Sequence, residues 1–255
     1  MKRSKLLWID LQPSLHCLFK RTALSLGQQF EVKRWSFEHD LDESSDVDVV
    51  HSLLRQTIEK STSSLHLVGH GLSGTIAFLY AQKYPKNISS VSLLSVDILS
   101  SNQWSSHYQT MRSQLPCSRF DILSHLSRLL INTHSDHAQT IVTGLLKKCL
   151  DNDFVQGSII QTPKIENLGR INMPTLVINA KDDFVVDRSS FQRWQQYLKP
   201  GDCYQEINNG RHFFPFSEWR ETSKMIESFI AMVPEVKQDL TLHSCKNLSI
   251  INPNS

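Results

Sequence analysis

Leu65-His66-Leu67-Val68-Gly69-His70-Gly71-Leu72-Ser73-Gly74-Thr75-Ile76-Ala77 is the stretch on which the reading of this chain turns. Its first four residues form a short, mainly apolar run, which suits a strand buried on both faces. Three of the chain's nine glycines then fall within six residues, at Gly69, Gly71 and Gly74. Such crowding marks a backbone segment that needs unusual dihedrals or close approach. From Leu72 the pattern turns helical and runs to Tyr84, where Pro85 stops it. The segment is expected to be a strand, a tight turn and a helix.

Outward from this segment, strands and helices alternate. Strands are expected at Leu6–Ile9, residues 30–37, Leu65–Val68, Val91–Val96, Thr175–Ile178 and Cys203–Ile207. Pro13 opens a helix with Leu15, Leu18, Phe19, Thr22 and Leu26 on one face, closed by Gly27. Val50, Leu53, Leu54, Thr57 and Ile58 recur at helical spacing, and a last helix is expected from about Phe216 to Ala231, with Trp219, Ile226 and Ile230 inward. This order implies an α/β fold: a mostly parallel sheet of about six strands with helices on both faces. Residues 98–170 hold helical patterns near 119–131 and 136–150 and no convincing strand. They are too long for a simple crossover and are expected to form a helical insertion over the strand ends. The core is then 1–97 with 171–234, and the polar residues 235–255 are expected to form a loosely held tail.

Composition excludes several classes. With 20% charged and 40% hydrophobic residues and a net charge of +2, the chain has an ordinary globular balance. No apolar run approaches the roughly 18 residues of a membrane-spanning helix. The basic start Met1–Lys5 is followed by too short an apolar stretch for a secretion signal. No Lys/Arg-rich run points to nucleic acid. The five cysteines are scattered and never paired as Cys-x-x-Cys, which suits free thiols in a reducing compartment such as the cytoplasm. His134 and His137 flank Asp136 but fit a solvated helix start better than a metal site; the remaining histidines outside the core motifs show no ligand spacing. No metal or cofactor is expected.

Residues 65–85 resemble the nucleophile elbow of the α/β-hydrolase family, Gly-x-Ser-x-Gly. Met173–Ile178 followed by Lys181–Val186 resembles the family's strand and loop that deliver the acid. Asn208–Phe214 resembles the late loop that delivers the histidine. The resemblance implies Asp183 and His212 as catalytic partners, the Leu72 N–H as an oxyanion donor, and the insertion as the family's variable cap. The elbow sequence and Gln114–Arg119 are also similar to cyanobacterial and plastid hydrolase-like proteins.

The departures weigh as much. Aligned without gaps, the nucleophile position is Gly71, which has no side chain to form an acyl-enzyme. After the first strand, where the family has His-Gly, the chain has Asp10-Leu11-Gln12-Pro13, without a glycine and with one N–H fewer. The strand pair that precedes this strand in the family is expected to be missing. A frame shifted by two would make Ser73 the nucleophile; the simpler reading of Ser73 is a first-turn residue bonding a free backbone N–H. Asp182 and Asp97 are alternative acids, and His70 has a structural place beside the elbow. Leu11, His70, Trp104 and Tyr108 are candidate pocket residues, Trp104 and Tyr108 equally one face of a packed helix.

Three readings follow. The first is a protein of this fold without serine-hydrolase turnover, a pseudoenzyme that binds a small apolar ligand or a protein partner. The second is an enzyme using His212 and Asp183 as a serine-free general base. The third is an esterase using Ser73.

Overall fold

The computed structural model describes residues 3–38, 46–99, 103–153 and 169–234. The expected tail, the acidic stretch 39–45 and part of the insertion lie outside them. Six strands form one sheet in the order β2-β1-β3-β4-β5-β6: β1 Lys5–Asp10, β2 Glu31–Ser36, β3 Leu65–His70, β4 Ile88–Leu94, β5 Thr175–Ala180 and β6 Cys203–Ile207. Every pairing is parallel. Each expected strand exists, with ends shifted by up to three residues.

The sheet is covered on both faces, and residue alternation shows why the strands read as continuous apolar runs. Leu6, Trp8, Val68, Leu94, Leu176 and Ile178 enter one core cluster. Their neighbours Leu7, Ile9, Leu67, Leu93 and Val177 enter another on the opposite face. Both pleat faces therefore select for apolar side chains, as a doubly covered parallel sheet requires.

The first cluster is closed by α1 (Lys20–Leu26), α5 (Arg119–Leu130), α6 (Asp136–Asn152) and α9 (Trp219–Met232), and the second by α3 (Leu72–Lys83) and α7 (Ser190–Gln195). The helix α2 (Val47–Glu59) packs Leu54 and Ile58 into the second cluster and Val50 into a smaller one with Leu11, Leu72 and Ile76. Its stripe is narrower than the spacing predicts, because Leu53 is exposed.

Two expected helices are broken. The one opened by Pro13 is a 3-10 turn over Pro13–Leu18 followed by α1. The break is at Phe19 (φ −104°), whose ring packs against Trp8, His70 and Phe213. Tertiary packing overrides helical period there. The last helix divides into α8 (Phe214–Ser217) and α9 at Glu218, and Trp219 is half-buried beneath the Arg220 guanidinium, while Ile226 and Ile230 point inward as expected. The described insertion residues form α4 (Trp104–Gln114), α5 and α6. Ser118 and Ser135 cap the last two, each accepting a backbone N–H with its side chain.

Candidate active site

β3 ends at His70, and Gly71 turns the chain directly into α3. Gly71 has φ +50° and ψ −123°. A residue with a Cβ would hold that conformation at a cost of about 1–3 kcal/mol, and glycine holds it nearly unstrained. The turn is tight because strand and helix touch: a Cβ on Gly69 would lie 2.6 Å from the Gly74 nitrogen, and one on Gly74 2.6 Å from Val96 Cγ2. The glycine cluster is therefore a packing requirement at two positions and a dihedral requirement at the third.

A Cβ on Gly71 would meet no clash. It would lie 3.8 Å from His212 Nε2 and 3.5 Å from Gln103 Oε1. His212 is wholly buried, and Nδ1 is 3.1 Å from Asp183 Oδ2. Asp183 Oδ1 in turn accepts the N–H groups of Val185 and Val186 at 2.7 and 3.1 Å. Burial alone would raise the Asp183 carboxyl, but the His212 charge and these hydrogen bonds outweigh it and hold the acid below the usual range. Among the described residues nothing bonds His212 Nε2.

The backbone of His212 is clamped. Its carbonyl accepts Ser95 Oγ at 2.7 Å and lies 2.9 Å from His70 Nε2. His70 is pressed between Phe19, Phe213 and the His212 ring. Burial is the main force that pushes its pKa down to about 3, so the ring is neutral and Nε2–H is the donor to that carbonyl.

The alternative acids are used elsewhere. Asp182 Oδ1 accepts the N–H groups of Gly210 and Arg211 and shapes the loop before His212. Asp97 is paired with the Arg193 guanidinium.

The loop after β1 spends its own donors. The Leu11 N–H is donated to Ser73 Oγ at 3.0 Å, and the Gln12 N–H to Asp10 Oδ1 at 3.1 Å. Pro13 has none. Ser73 thus does bond a backbone N–H, but on the neighbouring loop instead of in its own helix turn. The Leu72 N–H opens α3, where no in-helix acceptor exists.

Of the candidate pocket residues, Leu11 packs with Phe37, Val50, Leu72 and Ile76. Trp104 and Tyr108 are buried in the large core cluster. Neither cavity described below is lined by them or by His70. His134 and His137 sit exposed at the start of α6, and no group of three metal-binding side chains occurs among the described residues.

Gln103 and Ser95 were missed in the sequence. Ser95 follows β4 at φ +50°, a backbone feature without a sequence signature, and Gln103 reaches the elbow only through the insertion's path.

No family model matches the chain. The uncharacterized protein alr2406 of Nostoc sp. is 32% identical over 213 residues, covering 82% of this chain and 84% of that one. The uncharacterized protein sll0249 of Synechocystis sp. is 29% identical over 88% of this chain and 89% of that one. Human monoacylglycerol lipase ABHD6 is 22% identical over 76% of this chain but only 62% of its own length. Among solved structures, an esterase from Exiguobacterium antarcticum superposes with a TM-score of 0.68 at 14% identity, covering 91% of this chain and 93% of that one. Carboxylesterase CesB of Bacillus subtilis gives 0.65 at 12%, over 90% and 85%.

The six-stranded parallel sheet and its elbow thus define an α/β-hydrolase fold. The chain has this fold, and it belongs to the family that includes alr2406 of Nostoc sp..

Proposed function

We propose that this protein performs no serine-hydrolase turnover and instead uses the hydrolase fold to bind a small apolar ligand or a protein partner. One observation carries the reading: the elbow presents glycine to His212 Nε2 at the place where a nucleophile would stand. Three further points support it. Ser73 Oγ is engaged by Leu11, the loop after β1 keeps its N–H groups for itself, and the residues around Gly71 are closed to solvent. The lipase and esterase names among its relatives make an acyl chain the apolar ligand of choice. The four described cysteines are free thiols, which supports a reducing compartment.

Labelling with a fluorophosphonate probe tests it. The wild type is expected to stay unlabelled and inactive on a panel of short and long acyl esters. Labelling that disappears in Ser73→Ala would make Ser73 a nucleophile and end the proposal. Gly71→Ser is expected to take the label in a His212-dependent way. Its ester turnover should still fall 100-fold or more below that of a complete site, because loss of one oxyanion donor alone costs about 10²–10³.

A second reading rests on the unbonded His212 Nε2 beside Asp183: a general base acting on water or on an acidic C–H or O–H. It predicts an activity whose pH profile follows His212, and an active His212→Gln variant would remove it.

A further inference from the structure

The elbow lies where the strands end. At the opposite end, where they begin, a cavity of about 470 Å³ opens between the starts of β1, β3 and β4 and the end of α9. Its polar wall holds Arg3, Lys5, Ser63, Ser64, Ser89 and His66. Its other wall is apolar, with Phe30, Ile230 and Val233. A second cavity of about 240 Å³ shares Lys5 and adds Lys33, Lys60 and Ser61 with no acidic group in its lining.

In the smaller cavity Lys33 is paired with Glu31 at 3.3 Å, whereas the two cations of the larger one bond neutral groups. Arg3 donates to the Gly27 carbonyl at 3.2 Å, and Lys5 Nζ to Thr62 Oγ1 at 3.4 Å. Both acceptors are neutral, so both cations keep their charge, and against the carboxylate of the described lining they leave an excess of one positive charge. The one carboxylate in the larger cavity, Glu227, accepts from the Gln29 amide at 2.9 Å. His66 has Nδ1 2.8 Å from Ser90 Oγ, and burial lowers its pKa to about 4, so it lines the wall as a neutral ring.

We infer that this cavity is a binding site for an organic phosphate ester, with the phosphate held between Arg3, Lys5 and the Ser63–Ser64 hydroxyls and the organic part laid against Phe30, Ile230 and Val233. Two charged donors with several hydroxyls match the three acceptor oxygens of a phosphate better than the two of a carboxylate. Around 470 Å³ is more than ten times the roughly 30 Å³ share of one water, so the site holds more than an inorganic ion. The apolar wall requires the remainder of the ligand to be largely non-polar. This assignment does not depend on the proposed function of the elbow.

Calorimetric titration of the full chain with phenyl phosphate, inorganic phosphate and benzyl alcohol tests it. Saturable binding of phenyl phosphate is expected, tighter than either fragment alone and weaker as salt is raised. The double variant Arg3→Gln/Lys5→Gln should bind at least about tenfold more weakly, since hydrogen bonds to charged groups are the strong ones. Gly71→Ser should bind unchanged, which separates this site from the elbow. Sedimentation with phosphatidylcholine vesicles containing phosphatidic acid identifies the source. Co-sedimentation lost in the double variant assigns the ester to a lipid, and its absence beside phenyl phosphate binding assigns it to a soluble molecule. Absence of saturable phenyl phosphate binding, equal binding of benzyl alcohol, or full affinity in the double variant would each overturn the site.

Discussion

The two ends of the sheet are built on opposite plans. At the strand C-termini, where open α/β sheets place their ligand crevice, Gly71, His212, Asp183 and Ser73 are buried, and apart from His212 Nε2 their side-chain polar atoms are bonded to other parts of the chain. At the strand N-termini, Arg3, Lys5 and a run of hydroxyls face an open cavity. The first end sets a glycine turn against a buried His–Asp pair; the second has charged donors bonded only to neutral groups. On the reading proposed above, the difference teaches that a fold's usual ligand end and its binding capacity are separable, and that unspent hydrogen-bond donors locate the latter.

The largest expected effect that would sharpen this contrast is on stability. Phe213 is wholly buried against Phe19, His70 and His212. Phe213→Ala should cost about 3–5 kcal/mol in a urea titration. Lys5→Gln, at the open end, should stay within about 0.5 kcal/mol of wild type. A large loss in Lys5→Gln would mean that the basic end is structural, and the contrast would fail.

Ser73→Ala comes next. It removes the acceptor of the buried Leu11 N–H and should cost about 1–3 kcal/mol. A neutral result would mean that the β1 loop does not depend on Ser73 and that its donors are available after all.

The pH dependence should be smaller at first and cumulative. His70 and His66 have pKa values lowered to about 3 and about 4 by burial, so between those values and about 6.5 the unfolded chain binds the extra protons. Stability is therefore complete above about 6.5 and falls as the solution is acidified. Asp183, held below the usual carboxylate range, adds a loss of the same sign at lower pH. Asp10 acts oppositely. Burial raises it to about 6, so its contribution is lost as pH rises through that value. Measured melting curves from pH 7 to pH 4 should fall less steeply in His66→Gln than in wild type. A parallel fall would show that His66 takes up its proton without unfolding, and hence that the basic end is open to solvent beyond what its burial indicates.

Much of this was legible in the sequence. Gly69, Gly71 and Gly74 announced the elbow because a close backbone approach and a positive φ within six residues leave a local signature, to which Val96 adds a tertiary constraint at Gly74. The Asp183–His212 contact was anticipated from the resemblance of their two loops to those of the α/β-hydrolase family. The breaks at Phe19 and Glu218 were not, since aromatic packing and loop closure decide them, neither of which has a period. The Leu11–Ser73 bond was hidden for a related reason: it joins residues 62 positions apart through a backbone N–H that every residue type carries. The cavity at the other end was invisible because its lining comes from separate strand starts, none of them a motif.

The strand order leaves β2 and β6 as the sheet's two margins. Along β2, Glu31 and Lys33 are exposed, and β6 carries the exposed Glu206. An exposed margin offers unpaired peptide groups to any other extended chain, and charged side chains along it make such docking unfavourable. Both margins are thus defended against strand-by-strand growth into fibrils. Copies of this protein that meet at high concentration are therefore steered toward contact through helices and loops.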